Sequence, residues 1–218
     1  MNNFYNEIIK FGLNRIKFYN NYVESNVEFS FEGYQREIEM LKQKYERDNS
    51  ITEEDYLNEI DEISSYYSRL DDDIILNHRK AVIFLLFAFL EKKVEIFCND
   101  IGIDSAFKVN DLKGNSPYEK FIVYLKKINY ELYLDAQNEI NFLDKVRIVR
   151  NVITHQNNFI KANDNNHKKL KDFFSNKFEL KEHKDFDNNL HYEIILNTRT
   201  FINEIFEKIE LLMNKLYK

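Results

Sequence analysis

One proline, four glycines, a single cysteine and no tryptophan stand in a chain of 218 residues, and each scarcity removes a class of structure. Sandwiches and barrels of many short strands need turn residues at regular short intervals. Five glycines and prolines cannot supply them, which leaves helices as the expected element. Cys98, standing alone, excludes an intrachain disulfide and any metal site built on several thiolates, and it points to a reducing compartment. No apolar run is long. The most hydrophobic stretch, Ala81 to Leu90, is about half of the roughly 20 residues that a membrane span requires. The first ten residues carry no basic segment followed by an apolar run. A cytoplasmic protein without membrane contact is the expectation.

Positive charge is also short in total, with a net charge of −6, which argues against a protein that coats nucleic acid through bulk electrostatics. The distribution says more than the sum. Residues 1–100 carry −8 and residues 101–218 carry +2, and the acidity concentrates between Ile51 and Asn77. From Asn141 to Lys171 the chain is net positive, with Lys145, Arg147, Arg150, Lys161, Lys168, Lys169 and Lys171 against Asp144 and Asp164. A local anion site is expected there.

What is present in quantity is helical periodicity. Phe31, Tyr34, Ile38, Leu41 and Tyr45 recur at three- and four-residue steps, as do Tyr56, Ile60, Ile63, Tyr67 and Leu70, so two amphipathic helices are expected to pack along one face. Thr52 followed by Glu53, Glu54 and Asp55 makes a good start for the second. From Ile74 to about Ile101 the chain is apolar on every side, the pattern of a buried central helix. Ser116, Pro117 and Glu119 form another helix start after the connector from Gly102 to Asn115. That helix should reach about Tyr130. The next, from about Asp135 to Gln156, has Phe142, Val146, Val149 and Ile153 as its core stripe. A last helix carries Ile202, Ile205, Ile209, Leu212 and Leu216, with Asn197 or Thr198 as its cap. The Asn-rich patches Asn157 to Asn166 and Asp187 to Asn189 read as loops, and any strand should fall between Phe178 and Leu196 as a small hairpin. The fold class is therefore all-α.

Chemistry concentrates at the end of the helix that closes near Gln156. Arg147, Asn151 and His155 follow one another by one turn each, opposite the core stripe, and Arg150 sits at the rim between the two. A guanidinium there can hold a phosphate bidentately, the amide can orient a neighbour, and an imidazole can exchange a proton near neutral pH.

The run Arg150-Asn151-Val152-Ile153-Thr154-His155 resembles the signature of the HEPN superfamily: an Arg, a polar residue, and a His a few positions on. The helix with Phe89, Leu90, Glu91 and Phe97 is similar to that family's earlier core helix. The likeness spans roughly Ile74 to Lys218 as an HEPN-like core. Residues 1–70 stand outside it as an N-terminal helical extension, within one helical domain over 1–218. The resemblance implies a compact helical bundle and a metal-independent endoribonuclease of a toxin–antitoxin or antiviral defence system. Its substrate would be RNA, its catalytic residues Arg150, Asn151 and His155, and its substrate-binding cations Arg147, Lys145 and Lys161. No cofactor and no metal is implied. The expected partners are a second copy of the chain in a homodimer and an antitoxin or other defence-system protein. In a subset of the family a Tyr two places after the His is modified by its antitoxin. Here that place is Asn157, so that route of control is in doubt.

Plainer readings stand beside these. Arg150 at a stripe edge can be a solvated charge over apolar surface, and His155 near a helix C-terminus can be a favourable cap. Arg147 reads more readily as structural than as a substrate contact. Cys98 reads as a small buried hydrophobe. The acidic runs at Glu53 to Asp55 and Asp71 to Asp73 read as helix starts and solvated faces, and His78, His167, His183 and His191 share no ligand spacing for structural zinc. The rival function is a non-catalytic dimerisation or adaptor module that binds a partner through its acidic N-terminal half.

Overall fold

The computed structural model describes residues 2–48, 50–69, 74–102, 107–114, 116–156, 158–174, 177–185, 188–196 and 198–218. In chain order these form α1 (Asn2–Arg47), α2 (Glu53–Arg69), α3 (Leu76–Ile101), a 3-10 turn (Val109–Asp111), α4 (Pro117–Ile128), α5 (Tyr130–Asp135) and α6 (Gln137–His155). There follow β1 (Phe159–Lys161), α7 (Asn165–Phe174), β2 (Glu179–Lys184), β3 (Leu190–Ile195) and α8 (Arg199–Leu216). The fold is all-α, with one small antiparallel sheet of order β1-β3-β2. None of the described helices is long and apolar enough to cross a membrane.

Contacts divide the chain into two compact units, Met1–Lys17 with Lys80–Lys218, and Phe18–Arg79. By contacts the first turns of α1 group with the larger unit. Ile9 and Leu13 are buried in its core. Gly12 lets α1 come close to α3, because a Cβ there would stand 2.6 Å from Phe89 Cε2.

The core of the larger unit is built on α3. Val82, Ile83, Leu86, Phe87, Leu90 and Val94 are fully buried on several sides of that helix, and each large apolar side chain so buried contributes about 1.5–3 kcal/mol. Around it pack Phe121 and Tyr124 of α4, Leu143 and Val146 of α6, and Ile205 and Ile209 of α8. Buried Glu139 of α6 is met by Lys215 of α8, whose Nζ donates to Glu139 Oε2 at 2.7 Å and to the Asp135 carbonyl at 2.8 Å. In the smaller unit, α1 and α2 meet through aromatic pairs, Tyr34 with Tyr67 and Tyr45 with Tyr56. Thr52 and Asp55 exchange capping bonds at the start of α2. Asn20, Glu24, His78 and Arg79 form a buried polar cluster in the same unit, with Arg79 donating to both Glu24 oxygens.

The starts of α2 and α4 follow their sequence signals. Ser116 Oγ accepts from the Glu119 amide and Pro117 opens α4. The expected helix to Tyr130 is interrupted, because Asn129 both closes α4 and caps α5 by accepting from the Leu132 amide. Thr198 stands at the N-cap of α8, but its hydroxyl donates to the Lys177 carbonyl instead of capping. Leu70, Asp71 to Asp73, Asn157, Asp187 and Asn197 lie outside the described residues.

The expected hairpin is present as β2 and β3. The confinement of strands to Phe178–Leu196 fails, since the Asn-rich segment expected as loop supplies β1 and the start of α7. Asn158, at φ 70°, turns the chain out of α6, and Phe159, Ile160 and Lys161 then pair with Glu193, Tyr192 and His191. Ile160 and Leu170 of α7, both fully buried, anchor the segment. Asp164 Oδ1 accepts from the Asn166 amide at the start of α7.

Candidate functional site

The core stripe of α6 sets the frame, because Phe142, Val146, Val149 and Ile153 are all buried and fix which residues face outward at the helix end. Arg150, at the rim of that stripe, is half-buried. Its guanidinium lies 5.9 Å from the centre of the Phe84 ring, and its Nη1 donates to Asn151 Oδ1 at 3.2 Å. The Thr154 hydroxyl donates to the Arg150 carbonyl at 2.7 Å, so it is turned back onto the helix. His155 is exposed at the end of the helix. Arg150 and Asn151 are therefore brought together. Among the described residues no hydrogen bond or ion pair joins His155 to either.

The sequence left Glu91 of α3 without a role at this site. Its Oε2 stands 4.0 Å from Arg150 Nη2, and its side chain is only 15% exposed. The pair is incompletely made. Among the described residues Glu91 Oε1 and Arg150 Nε are both buried and enter no hydrogen bond, so the two charges are not joined by a direct bond. Burial raises the Glu91 carboxyl above its ordinary value of 4.5, against the opposing pull of Arg150 and Arg147. The one signal in the sequence was a lone carboxylate closing the apolar run of residues 81–90.

The three expected substrate-binding cations are dispersed. Arg147 Nη1 lies 2.8 Å from Glu119 Oε1 and its Nε donates to Asp144 Oδ1 at 2.9 Å. With only 17% of its side chain exposed, it serves to tie α4 to α6. Lys145 lines a cleft of about 440 Å³ with Asn138, Asn141 and Lys208, beside the Lys177–Glu204 ion pair. Lys161 lines another, of about 420 Å³, with Asn163 and His191. Cys98 is buried as expected, and burial pushes its thiol up to about 12, so it offers no thiolate at neutral pH. No three His, Cys, Asp or Glu side chains among the described residues are grouped to hold a metal ion.

The arrangement can hold and neutralise a phosphoryl group through Arg150, orient it through Asn151, and offer an exposed imidazole for proton transfer one helical turn away. No family model matches the chain, and no curated protein or solved structure matches it.

Proposed function

We propose that the protein is a metal-independent endoribonuclease of the HEPN type, acting as a toxin or antiphage effector. The observation that carries this reading is the Arg150–Asn151 pair, half-buried at the end of α6 beside a carboxylate that leaves the guanidinium incompletely satisfied. A fully paired arginine would have no capacity left for a phosphate. The reading also rests on the resemblance of residues 150–155 to the superfamily's signature.

In the reaction the 2′-hydroxyl of the cleaved nucleotide attacks the adjacent phosphorus. A bond forms between that oxygen and phosphorus, the bond to the 5′-oxygen breaks, and a 2′,3′-cyclic phosphate and a 5′-hydroxyl result. His155 accepts the 2′ proton or delivers one to the departing oxygen. Arg150 neutralises the charge growing on the phosphoryl oxygens, Asn151 positions it, and Glu91 limits the sweep of the guanidinium. Arg150 and His155 are five positions apart, about 140° around an ideal helix. A homodimer with two motifs facing one cleft would supply a cation from one protomer and an imidazole from its partner.

Incubating the purified protein with total RNA in EDTA tests the proposal. Cleavage should persist in the chelator and leave cyclic ends, and a 2′-deoxy substitution at the cut nucleotide should stop it. His155→Ala should be slower by roughly 10² to 10⁴, and Arg150→Ala should lose cleavage and growth arrest together. A His155→Ala protein that cuts RNA as fast as the parent would remove the assignment and leave the adaptor reading.

A further inference from the structure

The sheet has one face on the core and one in solvent, the usual division for an antiparallel sheet at a domain surface. Ile160 and Ile194 are buried on the inner face, and Tyr192 on that face stacks on His167 at 4.2 Å between ring centres. The outer face follows from the register. Lys161, His191 and His183 stand directly opposite one another across β1, β3 and β2, and Phe159, Glu193 and Lys181 form the next row. These six side chains are two lysines, two histidines, one glutamate and one partly exposed aromatic ring.

Charge on this face is arranged unevenly. The carboxylates of its two His–acid pairs lie close to imidazole nitrogens, Glu193 Oε2 at 2.9 Å from His183 Nε2 and Asp185 Oδ2 at 3.1 Å from His191 Nε2. Lys80 of α3 also lies near Glu193. Glu179 sits at the far end of β2, opposite Ile195. Lys161 and Lys181 are exposed and enter no ion pair among the described residues. Phe159 is 38% exposed and meets the His183 ring edge-on at 5.4 Å. The ring keeps part of its surface open to solvent, with Lys161 two residues along β1 and Glu193 opposite it.

Phosphates and unstacked bases together match this chemistry: ammonium groups track a polyanion, and an exposed ring offers a stacking surface indifferent to base identity. A membrane or an apolar peptide would need an aliphatic patch, and this face has none beyond Phe159 and Ile195. The surface also continues the candidate site. His155 and Phe159 are four positions apart, which limits the two Cα atoms to about 15 Å, and the Phe159 amide donates to the Gln156 carbonyl at 2.9 Å to hold the turn between them.

We propose that the outer face of the sheet is a docking platform for single-stranded RNA, with Phe159 stacking a base, and Lys161 beside it along β1 and Lys181 across the sheet from it each holding a phosphate. The cleft at the sheet's end, where Asn163 adjoins Lys161 and His191, receives the next nucleotide. The choice of RNA over other single strands rests on the ribonuclease reading.

Binding of a short labelled RNA strand, followed by fluorescence anisotropy in the His155→Ala protein so that the strand stays whole, tests the platform. Phe159→Ala and Phe159→Leu should weaken binding roughly fivefold or more, the loss of a stacking contact, while Phe159→Tyr should bind as the parent does. Lys161→Gln with Lys181→Gln should lower the slope of log affinity against log salt by about 1.4, two phosphate contacts on a single strand. Unchanged affinity in both sets, absence of RNA binding in the unsubstituted face, equal competition by a duplex, or equal displacement by polyglutamate would each overturn the proposal. The two readings separate cleanly. Binding that depends on these residues without any cleavage by the parent keeps the platform and removes the ribonuclease, and cleavage with binding indifferent to them does the reverse.

Discussion

At the scale of single residues, the site turns on how Arg150 is held. Asn151 fixes one end of the guanidinium and Glu91 stands at the edge of ion-pair range, so the cation is oriented without being neutralised. Adjacency in sequence made Arg150 and Asn151 legible as a pair. Glu91 was not, because its approach depends on how α3 packs on α6, which no local pattern reports. The raised carboxyl of Glu91, caused first by burial, gives a prediction with a definite sign. A carboxyl raised by folding favours the native state while protonated, below its unfolded value, and that contribution is lost as pH rises through the folded value. Gln mimics the protonated form. Glu91→Gln should therefore gain stability relative to the parent as pH rises from the ordinary value of 4.5 toward neutrality, in denaturant melts at several pH values. A difference that shrinks over that interval would contradict the burial argument. In cleavage assays Asn151→Ala should fall less than Arg150→Ala, because solvent can restore part of an orienting hydrogen bond but not a missing charge.

At the scale of elements, long helices announced themselves and short segments did not. The stripe Phe142, Val146, Val149 and Ile153 returns as buried positions of α6, and Ile202, Ile205, Ile209, Leu212 and Leu216 as those of α8. A stripe is legible when several core residues repeat it. In β1 and the first turns of α7 only Ile160 and Leu170 mark burial, one apolar anchor each among Asn and Lys, and a single residue has no period. The break at Asn129 was hidden for another reason, since its side chain caps a new helix where apolar spacing alone would let the old one continue. The α6–α8 contact offers an energetic test. Lys215→Met removes the cation that meets buried Glu139 and should cost about 2–3 kcal/mol in urea unfolding, because a buried carboxylate is then left uncompensated. Adding Glu139→Gln to that variant should restore much of the loss, and a double variant no better than the single would show that packing rather than charge was removed.

At the scale of the whole molecule, the composite site proposed above would require two copies. Light scattering at micromolar concentration should give twice the mass of the chain, and a monomer that still cleaves RNA would exclude the shared cleft. The division into two units was legible only in part. Acidity in the N-terminal half was plain, but the assignment of Met1–Lys17 to the larger unit depends on Ile9 and Leu13 reaching a core that the sequence places far along the chain. That division also sorts the charge. Phe18–Arg79 holds sixteen carboxylates against six cations, a net of −10, and the remaining residues carry +4. The isoelectric point of about 5.5 thus averages two unlike bodies, and a chromatographer who trusted it would expect retention on an anion exchanger alone. In buffers of low ionic strength, where charges act over about 30 Å, the protein should be retained by columns of either sign, and excising the acidic segment should abolish retention on only one of them.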